Sequence, residues 1–136
     1  PDALARTLDT ARSLAGNNRL IVVFGAGGER DQDKRQPMGR AVGQRADIAT
    51  VTNDNPRRED PRAIAKEVAA GCRRGGRAYV QVQLDRRGAI AHAIDQARRG
   101  DVIVIAGKGH EKGQILGEQT LPFSDVETVR AVLGLD

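Results

Sequence analysis

These 136 residues are expected to form an α/β fold: an open, mostly parallel sheet with helices on both faces and one edge strand that can run antiparallel. Three observations lead there. Short runs rich in β-branched residues alternate with stretches of helical periodicity along the whole chain. Two of those runs, Leu20 to Phe24 and Val102 to Ala106, are apolar at every position, as in parallel strands covered on both faces. Three loops unusual in charge and glycine, at 25–36, 53–59 and 107–113, each follow a strand. All three must open onto the carboxyl edge of the sheet, where ligands bind in open α/β folds.

The elements follow in order. Residues 2 to 15 put Leu4, Leu8, Ala11 and Leu14-Ala15 on one helical face, and Gly16-Asn17-Asn18 stop the helix. Leu20 to Phe24 is the first strand. After a polar loop to Gln36, Pro37 suits a helix start, and the pattern runs to about Arg45. Ile48 to Val51 is the second strand. A helix over about 61–73 follows, capped by Asp60, with Ile64, Ala65, Val68 and Ala69 facing in. Gly75-Gly76 break the chain before a third strand, Ala78 to Val82. Asp85 caps a helix to about Arg98 whose inner face is Ile90, Ala93, Ile94 and Ala97. Val102 to Ala106 is the fourth strand, expected near the centre of the sheet because it is wholly apolar. Gln114 to Phe123 reads as an irregular hairpin or an edge strand. Ser124 with Glu127 makes a capping box for the last helix, ending near Leu133.

Composition narrows the function. The length suits one domain with a real core, built from Val, Ile, Leu and Ala because Phe24, Tyr79 and Phe123 are the only aromatics. A single cysteine, Cys72, excludes an internal disulfide framework and fits a reducing compartment. With no long apolar span and no signal-peptide pattern, the chain reads as cytoplasmic, with no membrane partner. Its opening on Pro1-Asp2, without an initiator methionine, suggests processing or a fragment of a longer chain. The formal charge is +4, and of the twenty-two basic residues only Lys34, Lys66, Lys108 and Lys112 are lysines. Most arginines fall on helix faces, and aromatic platforms are missing, so nucleic acid is not the expected partner.

The central stretch is Thr52-Asn53-Asp54-Asn55-Pro56-Arg57. Pro56 restricts its own backbone and pushes Asn55 towards an extended conformation. Arg57 supplies a planar fork for a carboxylate. The plainer alternative is a β-turn ahead of the Asp60 cap. The loop from Gly25 to Arg35 fails the dinucleotide fingerprint, because Arg30 stands where the third glycine belongs. Gly107-Lys108-Gly109 fails the phosphate-loop pattern, with Val102 at its first glycine and Gly109 at its Ser/Thr. Charge is more informative: Arg35 and Arg57 could each hold a carboxylate, and Asp54 and Glu111 an ammonium. An amino acid with two of each group matches that set. Cys72 and His92 sit in helices, His110 is alone in its loop, and no spacing suits metal ligands, so no catalytic or metal residue is assigned.

Gly25-Ala26-Gly27-Gly28-Glu29-Arg30-Asp31, Lys34-Arg35-Gln36-Pro37-Met38-Gly39, Asp54-Asn55-Pro56-Arg57 and Ala106-Gly107-Lys108-Gly109-His110-Glu111 occur in this order over essentially the whole chain. Together they resemble the C-terminal domain of the Mur ligases, and most specifically those that add meso-diaminopimelate to UDP-N-acetylmuramoyl-L-alanyl-D-glutamate (the MurE family). The resemblance implies a Rossmann-like domain, residues 1–136, that presents the incoming amino acid in peptidoglycan precursor synthesis. It implies that Arg57 clamps the distal carboxylate that lysine lacks, lysine-adding members tending to carry Ala there. Asp54 and Asn55 would orient that end, Arg35 would contact a carboxylate, and Gly107 and Glu111 would meet the distal centre. Arg30, Asp31 and Lys34 would approach nucleotide phosphate on domain closure. Family members use ATP and Mg2+ to activate the D-glutamate γ-carboxylate as an acyl phosphate, which the amine of diaminopimelate attacks. The ATPase and UDP-binding domains are absent here, so the chain alone is expected to be inactive. Ala26, often Cys, and Glu29, often Asp, depart from the commonest pattern, and Ala26 with the arginine richness resembles actinobacterial members. The rival readings are a ligase domain of the same family that adds lysine or another amino acid, against which Arg57 argues, and a non-enzymatic α/β binding module.

Overall fold

The computed structural model describes residues 2–29, 32–107, 113–116 and 118–135. The expected Rossmann-like α/β architecture is present. Helix α1 (Asp2–Ala15) leads into β1 (Leu20–Phe24), then α2 (Arg35–Arg45), β2 (Ile48–Val51), α3 (Pro61–Gly75), β3 (Tyr79–Val82), α4 (Arg86–Gln96) and β4 (Val102–Ile105). The chain closes with β5 (Gly113–Leu116), β6 (Gln119–Pro122) and α5 (Asp125–Leu133). The first four strands form a parallel sheet in the order β3-β2-β1-β4, with Ile21 level with Ile48 on one side and Ile103 on the other. β5 and β6 form a separate antiparallel pair, so the hairpin reading holds and the edge-strand reading does not.

Alternation along β1 divides the interior. Leu20, Val22 and Phe24 belong to a cluster with Leu8 of α1, Val42 of α2 and Val68 of α3. Ile21 and Val23 belong to a second cluster with Ala89, Ile90 and Ala93 of α4 and, less deeply, Val129 of α5. Each fully buried Val, Leu or Ile contributes about 1.5–3 kcal/mol. Helices therefore cover both faces of the sheet around β1, while Tyr79 and Val82 of the edge strand β3 stay exposed.

Several expectations need correction. β4 is an edge strand of the four-stranded sheet, not a central one. Val102 and Val104 pack on the first cluster, and Ile103 and Ile105 on the second. Burial on both faces makes a strand wholly apolar whether or not its far edge is paired. Leu14 is 74% exposed and not part of the inner face of α1. Helix α2 begins at Arg35, ahead of Pro37, and is preceded by a 3-10 turn, Gln32–Lys34, inside the expected loop. Asp60, Asp85 and Ser124 cap their helices as expected, accepting from the N–H groups of Arg62, Gly88 and Glu127.

α2 and α3 lie backbone to backbone. A Cβ on Gly43 would stand 1.9 Å from the Cys72 carbonyl oxygen, and one on Gly71 would stand 2.3 Å from that of Gln36. Only glycine permits so close an approach.

Candidate functional site

The ends of β1, β2 and β4 are level: the Thr52 N–H donates to Phe24 O (2.8 Å) and the Ala106 N–H to Val23 O (2.9 Å). The loops that leave them are pressed together. The Gly28 N–H donates to Asn55 O at 2.7 Å, and a Cβ on Gly28 would come within 1.8 Å of Pro56 O. Gly107, at φ 113°, completes the contact: a Cβ there would stand 3.7 Å from Gly25 O and 3.8 Å from the Asp54 carboxyl. Asp54, Asn55, Arg57 and Gly107 are thus brought to one place, as their loop positions required.

Arg57 adopts φ 55°, in the left-handed region that residues other than glycine rarely occupy. Its Nη1 donates to Gly28 O (3.0 Å) and Asn55 O (3.3 Å), and its backbone N–H to Ile115 O (3.0 Å). Strain of this kind is held in place by its surroundings and gathers at ligand sites. The β5–β6 hairpin supplies part of that hold. Ile115 N–H donates to Asn55 Oδ1 (2.9 Å), and Gln114 Nε2 donates to Asp54 O (3.0 Å). Asn55 is buried, and its amide oxygen fastens the hairpin to the loop.

Arg35 opens α2 and is 1% exposed. Its Nη1 and Nη2 grip Glu59 in a two-pronged bond (2.6 and 2.7 Å), while Nη1 also reaches Glu67 (3.1 Å) and Nη2 the Gly27 carbonyl (3.3 Å). The Arg35 fork and the Glu29 N–H hold the Glu59 carboxyl far below the usual carboxylate range, at about 2. The same bond to Glu59 raises Arg35 above its already high value, against the opposing effect of burial. The carboxylate that Arg35 holds in this structure is therefore the chain's own. Lys34 is exposed at the end of the 3-10 turn.

The family description "Mur ligase, glutamate ligase domain" matches residues 1–109. The chain belongs to the Mur ligase family. A UDP-N-acetylmuramoyl-L-alanyl-D-glutamate–2,6-diaminopimelate ligase of Syntrophomonas wolfei is 47% identical over 98% of this chain and 27% of its own length. The same-named ligase of Bradyrhizobium diazoefficiens is 48% identical over 98% of this chain and 26% of its own. A solved structure of such a ligase superposes with a TM-score of 0.90 at 40% identity, covering 98% of this chain and 27% of that one. The Mur ligase domain thus spans about a quarter of the length of these relatives. They lend no support to the actinobacterial resemblance.

Of the residues singled out in this Mur ligase domain from sequence, Arg30, Asp31 and Glu111 lie outside the described residues, as does His110. His92 is exposed and Cys72 is buried, its thiol pushed up to about 11 chiefly by that burial. Sequence reasoning missed Glu59, Gln114 and the buried pair of Arg86 and Asp125 (2.7 Å). Glu59 had a signal, being an acid directly after the Arg57-Arg58 pair. Arg86 and Asp125 had none, because their 39-residue separation hides a contact made only by packing α4 on α5.

Proposed function

We propose that this chain is the amino-acid-presenting C-terminal domain of an ATP-dependent ligase that adds meso-diaminopimelate to UDP-N-acetylmuramoyl-L-alanyl-D-glutamate. The observation that carries the reading is Arg57, the last residue of Asp54-Asn55-Pro56-Arg57, held at positive φ against Gly28 beside Asp54 and Gly107. A guanidinium fixed there by backbone carbonyls is preorganised for a carboxylate, and binding loses little to ordering it. Diaminopimelate offers such a carboxylate at its distal end, and lysine does not. Asp54 and Glu111 meet the distal ammonium, Asn55 sets the height of the loop, and Gly107 leaves room beside them. Arg35 is neutralised by Glu59 and Glu67. To meet a ligand carboxylate itself, it must exchange Glu59 for it.

The reaction is amide formation at the D-glutamate γ-carboxylate, activated at the expense of ATP, with the amine of diaminopimelate as nucleophile. The work of this domain is to bind and orient that amino acid, and its residues carry no covalent step. Among the described residues no three His, Cys, Asp or Glu side chains gather as a metal site. By the family resemblance, ATP and Mg2+ belong mainly to a central domain, and the UDP moiety to an N-terminal one, both outside residues 1–136. Arg30, Asp31 and Lys34 lie on the loop that would face nucleotide phosphate when those domains close. Among the described residues no helix is long and apolar enough to cross a membrane. A cytoplasmic location follows instead from the proposed reaction, whose precursor is nucleotide-linked. The isolated domain is inactive by this reading.

An NMR titration of the chain with meso-diaminopimelate, and separately with L-lysine, tests the proposal. Shifts in the 25–29, 53–59 and 107–116 segments with diaminopimelate preferred are expected. An equal response to both amino acids refutes the role of Arg57.

A further inference from the structure

Beneath the site lies a buried cation that the loops themselves do not account for. Arg86 is the first residue of α4 and 1% exposed. Its Nε and Nη2 donate to the two carboxylate oxygens of Asp125, both at 2.7 Å. Its remaining capacity goes elsewhere. Nη1 donates to Asn53 O at 2.8 Å, and Nη2 donates again to Ala106 O at 3.1 Å. Asn53 and Ala106 immediately precede Asp54 and Gly107 in the chain.

The topology gives this fork its meaning. The two carbonyls stand at the ends of β2 and β4, which are not neighbours, because β1 lies between them. The ladders relate the two loops only through β1, whose Phe24 and Val23 carbonyls accept from Thr52 and Ala106, and among the described residues no ladder joins the loops to each other. One guanidinium does so directly, and Asp125, itself buried at the start of α5, holds that guanidinium still. Neutralising Asp125 would not require the two carbonyl bonds, since the Nε and Nη2 contacts already form a two-pronged pair. A lysine could neutralise Asp125 too, but as a point charge on a flexible stem it cannot reproduce the planar fork.

We propose that Arg86 is a positioning residue: it sets the spacing between the Asp54 and Gly107 loops and so the fit of the site to its amino acid. The inference rests on the function proposed above and adds to it a residue that touches no ligand.

The test uses a full-length ligase carrying this domain and measures kcat, thermal midpoint, and KM for diaminopimelate, ATP and the UDP-linked precursor. Arg86→Lys is expected to raise KM for diaminopimelate about tenfold, as a loss of about 1.4 kcal/mol in the fit of the site would. The other two KM values should stay within about twofold. Because Arg86→Lys can fail to fold, the double variant Arg86→Met with Asp125→Leu is made beside it. That pair removes both buried charges together, which interiors often tolerate without loss of stability, and it removes both carbonyl bonds. It should show the same selective rise. A folded variant of either kind with an unchanged KM for diaminopimelate overturns the inference. So does a fall in kcat and thermal midpoint with no KM selectivity, which is what a purely structural role predicts. Arg57→Ala is assayed in parallel. If it too leaves that KM unchanged, the reading of the site fails and this inference with it. If only Arg57→Ala raises it, the positioning role alone falls.

Discussion

Replacing Glu59 by Gln removes one charge from the bridge that joins the two arginine-bearing loops, and the structure sets the size of the effect. The Glu59 carboxyl lies at about 2 where 4.5 is ordinary, a difference worth at most about 3 kcal/mol of charge-dependent stabilisation. The side chain is 23% exposed, so solvent screening brings that to about 1–2 kcal/mol. Arg35, left almost wholly buried, would keep the half-exposed Glu67 and the Gly27 carbonyl, which limits the further cost of an unpaired cation. The expected loss at pH 7 is therefore about 2 kcal/mol. The sign of the pH dependence follows from the depressed folded-state value. The bridge stabilises fully above about pH 4.5 and is lost as pH falls towards 2. Wild type and Glu59→Gln should thus converge, with more than half of the gap gone by about pH 3. Asp47 and Asp101 are also held below the usual range, but they titrate alike in both proteins and cancel. Urea unfolding of the chain at pH 7, 5 and 3, followed by far-ultraviolet circular dichroism, measures the gap. A gap under about 0.5 kcal/mol at pH 7, or one that does not change with pH, would refute the assignment of the bridge.

Other perturbations probe other parts. Arg57→Ala should weaken diaminopimelate binding by about 2–5 kcal/mol where the carboxylate is desolvated, with lysine unaffected, as calorimetric titration would read. Gly28→Ala places a Cβ 1.8 Å from Pro56 O and must push the first loop away; a loss of about 1–3 kcal/mol in unfolding, with altered amide shifts at Asn55, is expected. Cys72, pushed up to about 11 by burial, should stay unreactive towards a thiol-disulfide reagent at pH 8 until urea unfolds the chain. Rapid labelling of the native protein would contradict its place in the core.

How much of this was legible in advance depended on the range of each interaction. Caps, strands and helical faces are local, and Asp60, Asp85 and Ser124 cap the helices that their neighbours announce. The meeting of the first two loops with Gly107 was legible too, because parallel strands separated by helices open onto one edge. What local pattern could not supply was partnership. Arg35 looks the same in sequence whether it awaits a ligand or grips Glu59, 24 residues away. Strand order was equally hidden: the composition of β4 records the helices on its two faces and says nothing of its neighbours. Likewise, Gln114 and Ile115 look like unremarkable hairpin residues until their bonds to Asp54 and Asn55 are seen.

The glycine seam between α2 and α3 bears on the site from a distance. Arg35 begins one of these helices, and Glu59 stands just ahead of the other. Gly43 lies eight residues along α2 from Arg35, about 12 Å by the rise of the helix. A methyl group there cannot be absorbed by a side chain turning aside, since the Cys72 backbone faces it. The helices would have to splay, and the mouths of both loops would move with their ends. The seam makes the helix pair a lever with its fulcrum in the core. Variation at the glycines of α2 and α3 should therefore be felt at the proposed amino-acid site, although all of them lie in the helices and none in the loops that carry Asp54, Arg57 and Gly107.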